Sequence, residues 1–167
     1  MIDGFVMPSP VGYLYLQTCG DTVVGLEYNT RKRPGKKPLS KQQANIKKHI
    51  MSYFDVEKFT EKSAEKSKEK FKLDLNLELT GTTFKKRVWA VLQKIPAGKV
   101  KTYGEVAKQL NSSARAVGNA CRANPIPLIV PCHRVIAKTG IGGFSGEING
   151  ASIDRKRWLL AHEGVSL

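Results

Sequence analysis

The feature that most constrains this chain is a change of apolar period near Gly81. Before it, Phe71, Leu73, Leu75, Leu77 and Leu79 alternate strictly with polar residues, the period-two pattern of a half-buried strand. After it, Phe84, Val88, Trp89, Val91, Leu92 and Ile95 recur at helical spacing. Thr82 or Thr83 can cap that helix, and Pro96 and Gly98 stop it. A 167-residue chain that switches period in its middle is expected to form two units, 1–80 and 81–167, of mixed α+β class. With 41% apolar residues it can bury a core without disulfides or metals.

In the first half, Val11–Gln17 and Thr22–Tyr28 are short β-prone runs bounded by Pro, Gly or Asp. Ser40 can cap a helix that buries Ile46, Ile50, Met51 and Phe54. The basic run from Arg31 to Pro38 is broken by Pro and Gly and reads as a solvated loop, with phosphate contact as the alternative. Residues 61–70, EKSAEKSKEK, are polar and of low complexity, an exposed helical turn or loop. In the second half, Thr102 starts a short helix with Val106, Ala107 and Leu110 inward. Asn111, Ser112 and Ser113 form a turn that caps another, from Ala114 to about Ala123. Two short helices joined in this way make a helix-turn-helix, although an ordinary helical hairpin has the same pattern. Ala114, Ala116, Gly118 and Ala120 make the second helix small enough to approach a partner closely, and Arg115 and Arg122 project from it.

Charge points to the partner. The net charge is +14; residues 1–80 hold 14 Lys/Arg against 10 Asp/Glu, whereas residues 81–167 hold 14 against 4. An excess concentrated in one half is the footprint expected of a polyanion partner such as DNA, with a surface that is basic for solubility alone as the alternative. No apolar stretch approaches the ~18 residues of a membrane helix. Asp3 near the start and the lack of a long apolar run after it do not suit a secretory signal, so a cytoplasmic protein is expected. Three widely spaced cysteines, Cys19, Cys121 and Cys132, fit a reducing compartment rather than a disulfide framework. No structural metal is expected, because Cys and His do not cluster.

Asn124-Pro125-Ile126-Pro127 cannot be regular structure. It leads through an apolar run, Leu128–Val130, to Pro131-Cys132-His133-Arg134-Val135-Ile136. A thiol attacks as its thiolate, which forms when a cation or base lies close, and His133 adjoins Cys132. In an extended segment adjacent side chains point to opposite faces, so His133 would need a bent backbone or a bridging water to reach the sulfur. A buried, inert cysteine is the alternative on these residues alone.

Val130-Pro131-Cys132-His133-Arg134-Val135 resembles the active-site signature of the O6-alkylguanine-DNA alkyltransferases. Phe84–Trp89, Pro96–Tyr103, Ala114–Gly118, Asn124-Pro125 and Arg155–Leu160 fall in the same order as in that family, so the likeness spans about residues 82–164. The resemblance implies an N-terminal RNase-H-like α/β domain and a C-terminal helical, winged-helix-like domain with the helix-turn-helix. It implies a monomer acting on double-stranded DNA that contains O6-alkylguanine, with Cys132 taking the alkyl group irreversibly. His133 would deprotonate Cys132 through a water, and Glu163 would orient His133, a triad logic with a thiol. The target nucleotide must be flipped out of the duplex, with Arg115 filling its place and Tyr103 helping to rotate its phosphate and hydrogen-bonding the guanine. Asn124 would tie the recognition helix to the active-site strand. Ala116, Gly118 and Arg122 would lie on the DNA face, in the minor groove. The Cys132 and Val135 carbonyls would accept from the exocyclic amine of guanine, and Ser145 would hydrogen-bond O6. No cofactor is implied, since the substrate carries its own electrophilic carbon.

Three positions depart from the family pattern. Phe144 stands where Tyr is frequent, Gly146–Ile153 is a longer connection than usual, and Cys121 replaces a larger apolar residue. Cys121 reads as a packing residue, or as a second alkylation or oxidation site. Three other functions use the same features: a helix-turn-helix regulator that senses alkylation through Cys132, a lesion-binding relative without transfer, and a cysteine hydrolase.

Overall fold

The computed structural model describes residues 1–28, 31, 35, 37–55, 71 and 73–167. The chain divides into two compact units, Met1–Leu79 and Thr80–Leu167. The first holds a four-stranded sheet in the order β1 (Asp3–Met7), β2 (Leu14–Cys19), β3 (Thr22–Tyr28), β4 (Asn76–Leu77). β1–β2 and β2–β3 are antiparallel, and β3–β4 is parallel. Phe5 and Met7, Leu14 and Leu16, and Val23 and Leu26 are buried, following the alternation of side chains along strands.

Helix α1 (Lys41–Phe54) opens with a capping box: the Ser40 side chain accepts from the Gln43 backbone, and the Gln43 side chain accepts from the Ser40 backbone. Ile46, Ile50, Tyr53 and Phe54 form its buried face. Met51, expected among them, is 38% exposed. Its place, five residues from Ile46, rotates it off the 46/50/53 stripe, and Tyr53 takes the inward site. Among the described residues from Phe71 to Leu79 only Asn76–Leu77 joins the sheet, although Leu75, Leu77 and Leu79 stay less exposed than their neighbours, as does Leu73 relative to Asp74. The Leu75 amide is spent locally on the Leu73 carbonyl. β1 was not anticipated, and Val11 lies in the Ser9–Gly12 turn rather than in β2. Residues 61–70 and half of the basic loop, 32–34 and 36, lie outside the described residues.

The second unit is mainly helical: α2 (Thr83–Leu92), α3 (Tyr103–Gln109), α4 (Ala114–Arg122) and α5 (Ala151–His162). Thr82, Thr102 and Ser113 cap the first three through their side chains. α2 buries Val88, Trp89, Val91 and Leu92. The Trp89 Nε1 donates to the Ala120 carbonyl at 2.9 Å, which fastens α2 to α4. Asn111, at φ 56°, makes the turn between α3 and α4. Ala120 faces the core, so it is not part of an outer small-residue surface; it follows Val117 by three residues on the same face.

β5 (Lys101–Thr102) pairs in parallel with β6 (Val135–Ile136). Cys132–Arg134 is a single 3₁₀ turn rather than an extended segment. The run before it is not a strand either. Leu128 has φ 75°, and the Val130 amide bonds back to the Ile126 carbonyl. The connection expected over Gly146–Ile153 is shorter, because Ala151, Ser152 and Ile153 already belong to α5, with Ile153 buried against the core. Among the described residues no helix is long and apolar enough to cross a membrane, and no cluster of three or more His, Cys, Asp or Glu could hold a metal.

Candidate active site

The 3₁₀ turn brings three consecutive side chains, Cys132, His133 and Arg134, into the interior of the second unit. His133 Nε2 lies 2.8 Å from Glu163 Oε1. Arg134 grips the same carboxylate, Nε to Oε2 at 2.9 Å and Nη2 to Oε1 at 2.8 Å, and its Nη1 donates to the Ile95 carbonyl at 2.6 Å. Glu163 sits at the C-cap of α5. Gly98 passes its backbone so closely that a Cβ there would lie 3.0 Å from the carbonyl, and its φ of +75° also favours glycine.

The charges of this cluster follow from its burial and contacts. Burial alone would raise the Glu163 carboxyl, but His133 and Arg134 outweigh it and hold it well below the usual carboxylate range. Burial lowers the His133 imidazole below its ordinary value, and the attraction of Glu163 only partly offsets that. An ionised carboxylate only accepts hydrogen bonds, so the neutral imidazole carries its proton on Nε2 and leaves Nδ1 as a lone pair. Nδ1 is buried and has no hydrogen-bond partner among the described residues. Arg134 therefore supplies the cation that Glu163 needs, and His133 stays neutral and able to accept a proton. Burial raises the Cys132 thiol, with the Asn124 amide and Lys156 pulling the other way. At rest the sulfur is a thiol.

Cys132 lines a cavity of about 470 Å³ together with Tyr103, Arg115, Gly118, Cys121, Arg122, Phe144, Ser145 and Ile148, among others. Arg115 and Arg122 are exposed on α4. Tyr103 opens α3, and its Oη donates to the Gly143 carbonyl at 3.0 Å. Ser145 and Gly146 are the two central residues of a tight hairpin, at φ 53° and 83°, closed by two 2.9 Å backbone bonds between Phe144 and Glu147. Arg122 lies across Gly146, where a Cβ would come within 2.6 Å of its Nε.

Asn124 and Ala116 do not line the cavity. Asn124 Nδ2 donates to the Val130 carbonyl at 2.8 Å and its Oδ1 accepts from the Ile126 amide, so it braces the turn from α4 to Cys132. The Ala116 amide completes the Ser113 cap. Val135, expected in the pocket wall, is fully buried and does not line the cavity; its carbonyl accepts from Lys156 Nζ at 2.6 Å.

Residues 83–165 match the family described as 6-O-methylguanine DNA methyltransferase, DNA binding domain. The crystal structure of Mycobacterium tuberculosis O6-methylguanine methyltransferase is 34% identical, with a TM-score of 0.77 over 98% of this chain and 93% of that one. The chain belongs to the O6-methylguanine DNA methyltransferase family. The M. tuberculosis OGT solved in complex with DNA is 36% identical, with a TM-score of 0.73 over 95% of this chain and 90% of that one. The methylated-DNA–protein-cysteine methyltransferase of Methanocaldococcus jannaschii is 42% identical over 93 residues, 56% of this chain and 53% of that protein. The chain spans about half the length of the curated relatives it matches.

For this member of the O6-methylguanine DNA methyltransferase family, sequence reasoning missed two side chains at the site. Arg134 was noted only as part of a motif. Lys156 was noted only within the segment Arg155–Leu160, yet it is fully buried, with Nζ donating to the carbonyls of Val135 and Gly143 at 2.6 and 2.9 Å. Burial lowers its ammonium to about 8, against the pull of Cys132 and Cys121. Its spacing held a clue: Ile153, Lys156 and Leu160 fall at i, i+3 and i+7, on the inward stripe of α5.

Proposed function

We propose that the protein is a single-turnover methylated-DNA–protein-cysteine methyltransferase that flips O6-alkylguanine out of duplex DNA and transfers the alkyl group to Cys132. The observation that carries the reading is a cavity-lining thiol followed directly by a neutral buried histidine whose Nε2 is held 2.8 Å from a buried carboxylate. The Cys132 proton passes through a water to His133 Nδ1, and Glu163 stabilises the imidazolium that forms. The sulfur attacks the alkyl carbon in line. The S–C bond forms, the C–O6 bond breaks, and the electron pair stays on the guanine, which takes a proton on release. Ser145 hydrogen-bonds O6, and Tyr103 exchanges its Gly143 partner for the guanine as charge develops there. Asn124 keeps Cys132 in register with α4. Arg115 fills the space vacated in the stack, Ala116, Gly118 and Arg122 face the DNA, and the basic half of the chain holds the phosphates. The antiparallel β1–β2–β3 ladder supports an RNase-H-like description of the first unit, and the α3–α4 pair supports a winged-helix-like second unit acting as the DNA-binding and alkyl-transfer domain.

The test is transfer of radiolabelled methyl from O6-methylguanine duplex to protein. Wild-type protein should take up close to one label per chain, and Cys132→Ser should take up none while binding the duplex as before. Label retained by the variant would move the acceptor to Cys121 or Cys19. Binding without any transfer by the wild type would favour a lesion-binding or regulatory protein.

A further inference from the structure

The walls of the Cys132 cavity differ in a way that the transfer chemistry does not require. From α4 they take three small residues, Ala114, Gly118 and Cys121, beside the polar Arg115, Asn119 and Arg122, and a Cβ placed on Gly118 would meet nothing within 4 Å. Burial keeps the Cys121 thiol protonated, so Gly118 and Cys121 together offer a small apolar stretch within that wall. From the loop between β6 and α5 the cavity takes Ile148, a large aliphatic side chain that is 83% exposed. A lone exposed apolar residue means little by itself. This one lines the same cavity as the nucleophile, on a well-fastened loop. The Phe144–Glu147 hairpin ends one residue before it, and the Gly143 carbonyl accepts from both Tyr103 Oη and Lys156 Nζ, at 3.0 and 2.9 Å. Two residues after it, Gly150 begins α5. The fold therefore holds an isoleucine at the mouth of the cavity without gaining core burial from it.

We propose that Ile148 is a specificity-determining residue that packs against a bulky apolar substituent on O6 of the bound guanine, across from the small wall of Gly118 and Cys121. The inference rests on the alkyl-transfer reading and takes one step beyond it: this pocket favours benzyl-sized groups relative to methyl through a contact that a methyl group is too short to make. Ile148 has no part in bond making.

The experiment compares transfer rates of the full chain and its Ile148→Ala and Ile148→Leu variants. The substrates are free O6-benzylguanine, a duplex carrying O6-benzylguanine and a duplex carrying O6-methylguanine. Ile148→Ala should slow both benzyl substrates about tenfold, the effect of withdrawing about two methylene equivalents from an apolar contact, with the methyl duplex slowed less than about threefold. Ile148→Leu should restore most of the benzyl rate. Melting temperatures should not move, because the side chain is mostly exposed. An unchanged benzyl-to-methyl ratio in an active protein overturns the inference alone, as does a loss confined to the two duplexes, which would put Ile148 against the DNA strand. Wild-type protein that transfers nothing overturns the alkyl-transfer reading beneath it.

Discussion

Glu163→Gln is the most searching perturbation of the site, because one carboxylate serves two partners. Glu163 accepts three charge-assisted bonds, one from His133 and two from Arg134, at 2.8, 2.9 and 2.8 Å, and its side chain has no solvent exposure. Glutamine keeps the shape but offers an amide donor where acceptors are needed and leaves the Arg134 cation buried without a counter-charge. Removing one partner of a buried ion pair costs about 3–5 kcal/mol. In a domain of this size each kcal/mol moves Tm by about 4–8 °C, so a fall of at least about 12 °C is expected at neutral pH. The difference must also depend on pH in one direction. The folded carboxyl is held below its unfolded value, so its contribution is complete above the ordinary carboxylate pKa of about 4.3 and is lost as pH falls toward the folded value. Calorimetry of both proteins from neutral pH downward should show the Tm gap narrowing below about pH 4. A Tm within about 2 °C of wild type at neutral pH would refute the ledger. So would a gap that stays constant to about pH 3. In transfer assays kept below the variant's melting range, the same substitution should slow methyl uptake about 100-fold, since His133 loses both its orientation and the charge that stabilises its cation.

The remaining predictions concern the neighbours. Arg134→Met removes a cation that helps to lower the His133 imidazole, so the fall in transfer rate on the acid side should move to higher pH; an unmoved rate–pH profile would mean that Arg134 is purely structural. Arg115→Ala should slow repair of duplex O6-methylguanine by more than about tenfold while leaving reaction with free O6-benzylguanine within about twofold, because only the duplex must be opened. Equal losses on both substrates would assign Arg115 to the pocket.

What was legible in the sequence was local. Ser40 and Thr102 were identified as helix starts from residue type and position, Thr82 as one of two candidates with Thr83, and Ser113 within the turn Asn111–Ser113; all four cap through their side chains. The inward faces of α2 and α3 followed from spacing alone. β1 was missed because its apolar content is confined to three residues between Asp3 and Pro8, and its pairing with β2 depends on chain beyond it. The turn at Leu128 was missed because nothing in a leucine signals φ 75°. At the site, Cys132, His133 and Glu163 were singled out together through the family resemblance, and the pair His133–Glu163 is formed. Arg134 and Lys156 were hidden for a physical reason: a charged residue reads as surface until its partner is known. Their partners are a carboxylate 29 residues away and two carbonyls at 13 and 21 residues.

On the proposed reading, Arg134 and Lys156 also explain how a site can hold a nucleophile without exposing it to chance electrophiles. Burial raises the Cys132 thiol, so the resting sulfur is protonated, and the base that would take its proton is buried as well. Burial is the main cause that keeps the His133 ring from taking a proton, against the attraction of Glu163. The Arg134 guanidinium binds the same carboxylate, and its own charge further discourages protonation of the ring. Lys156 ties the Val135 carbonyl, three residues past Cys132, to the Gly143 carbonyl at the root of the hairpin that lines the cavity. A base and its alkyl group entering that cavity would displace solvent from the thiol, the hairpin and α4 together. On the proposed reading, ionisation of Cys132 is thereby confined to the moment when an electrophilic carbon is already in line with it.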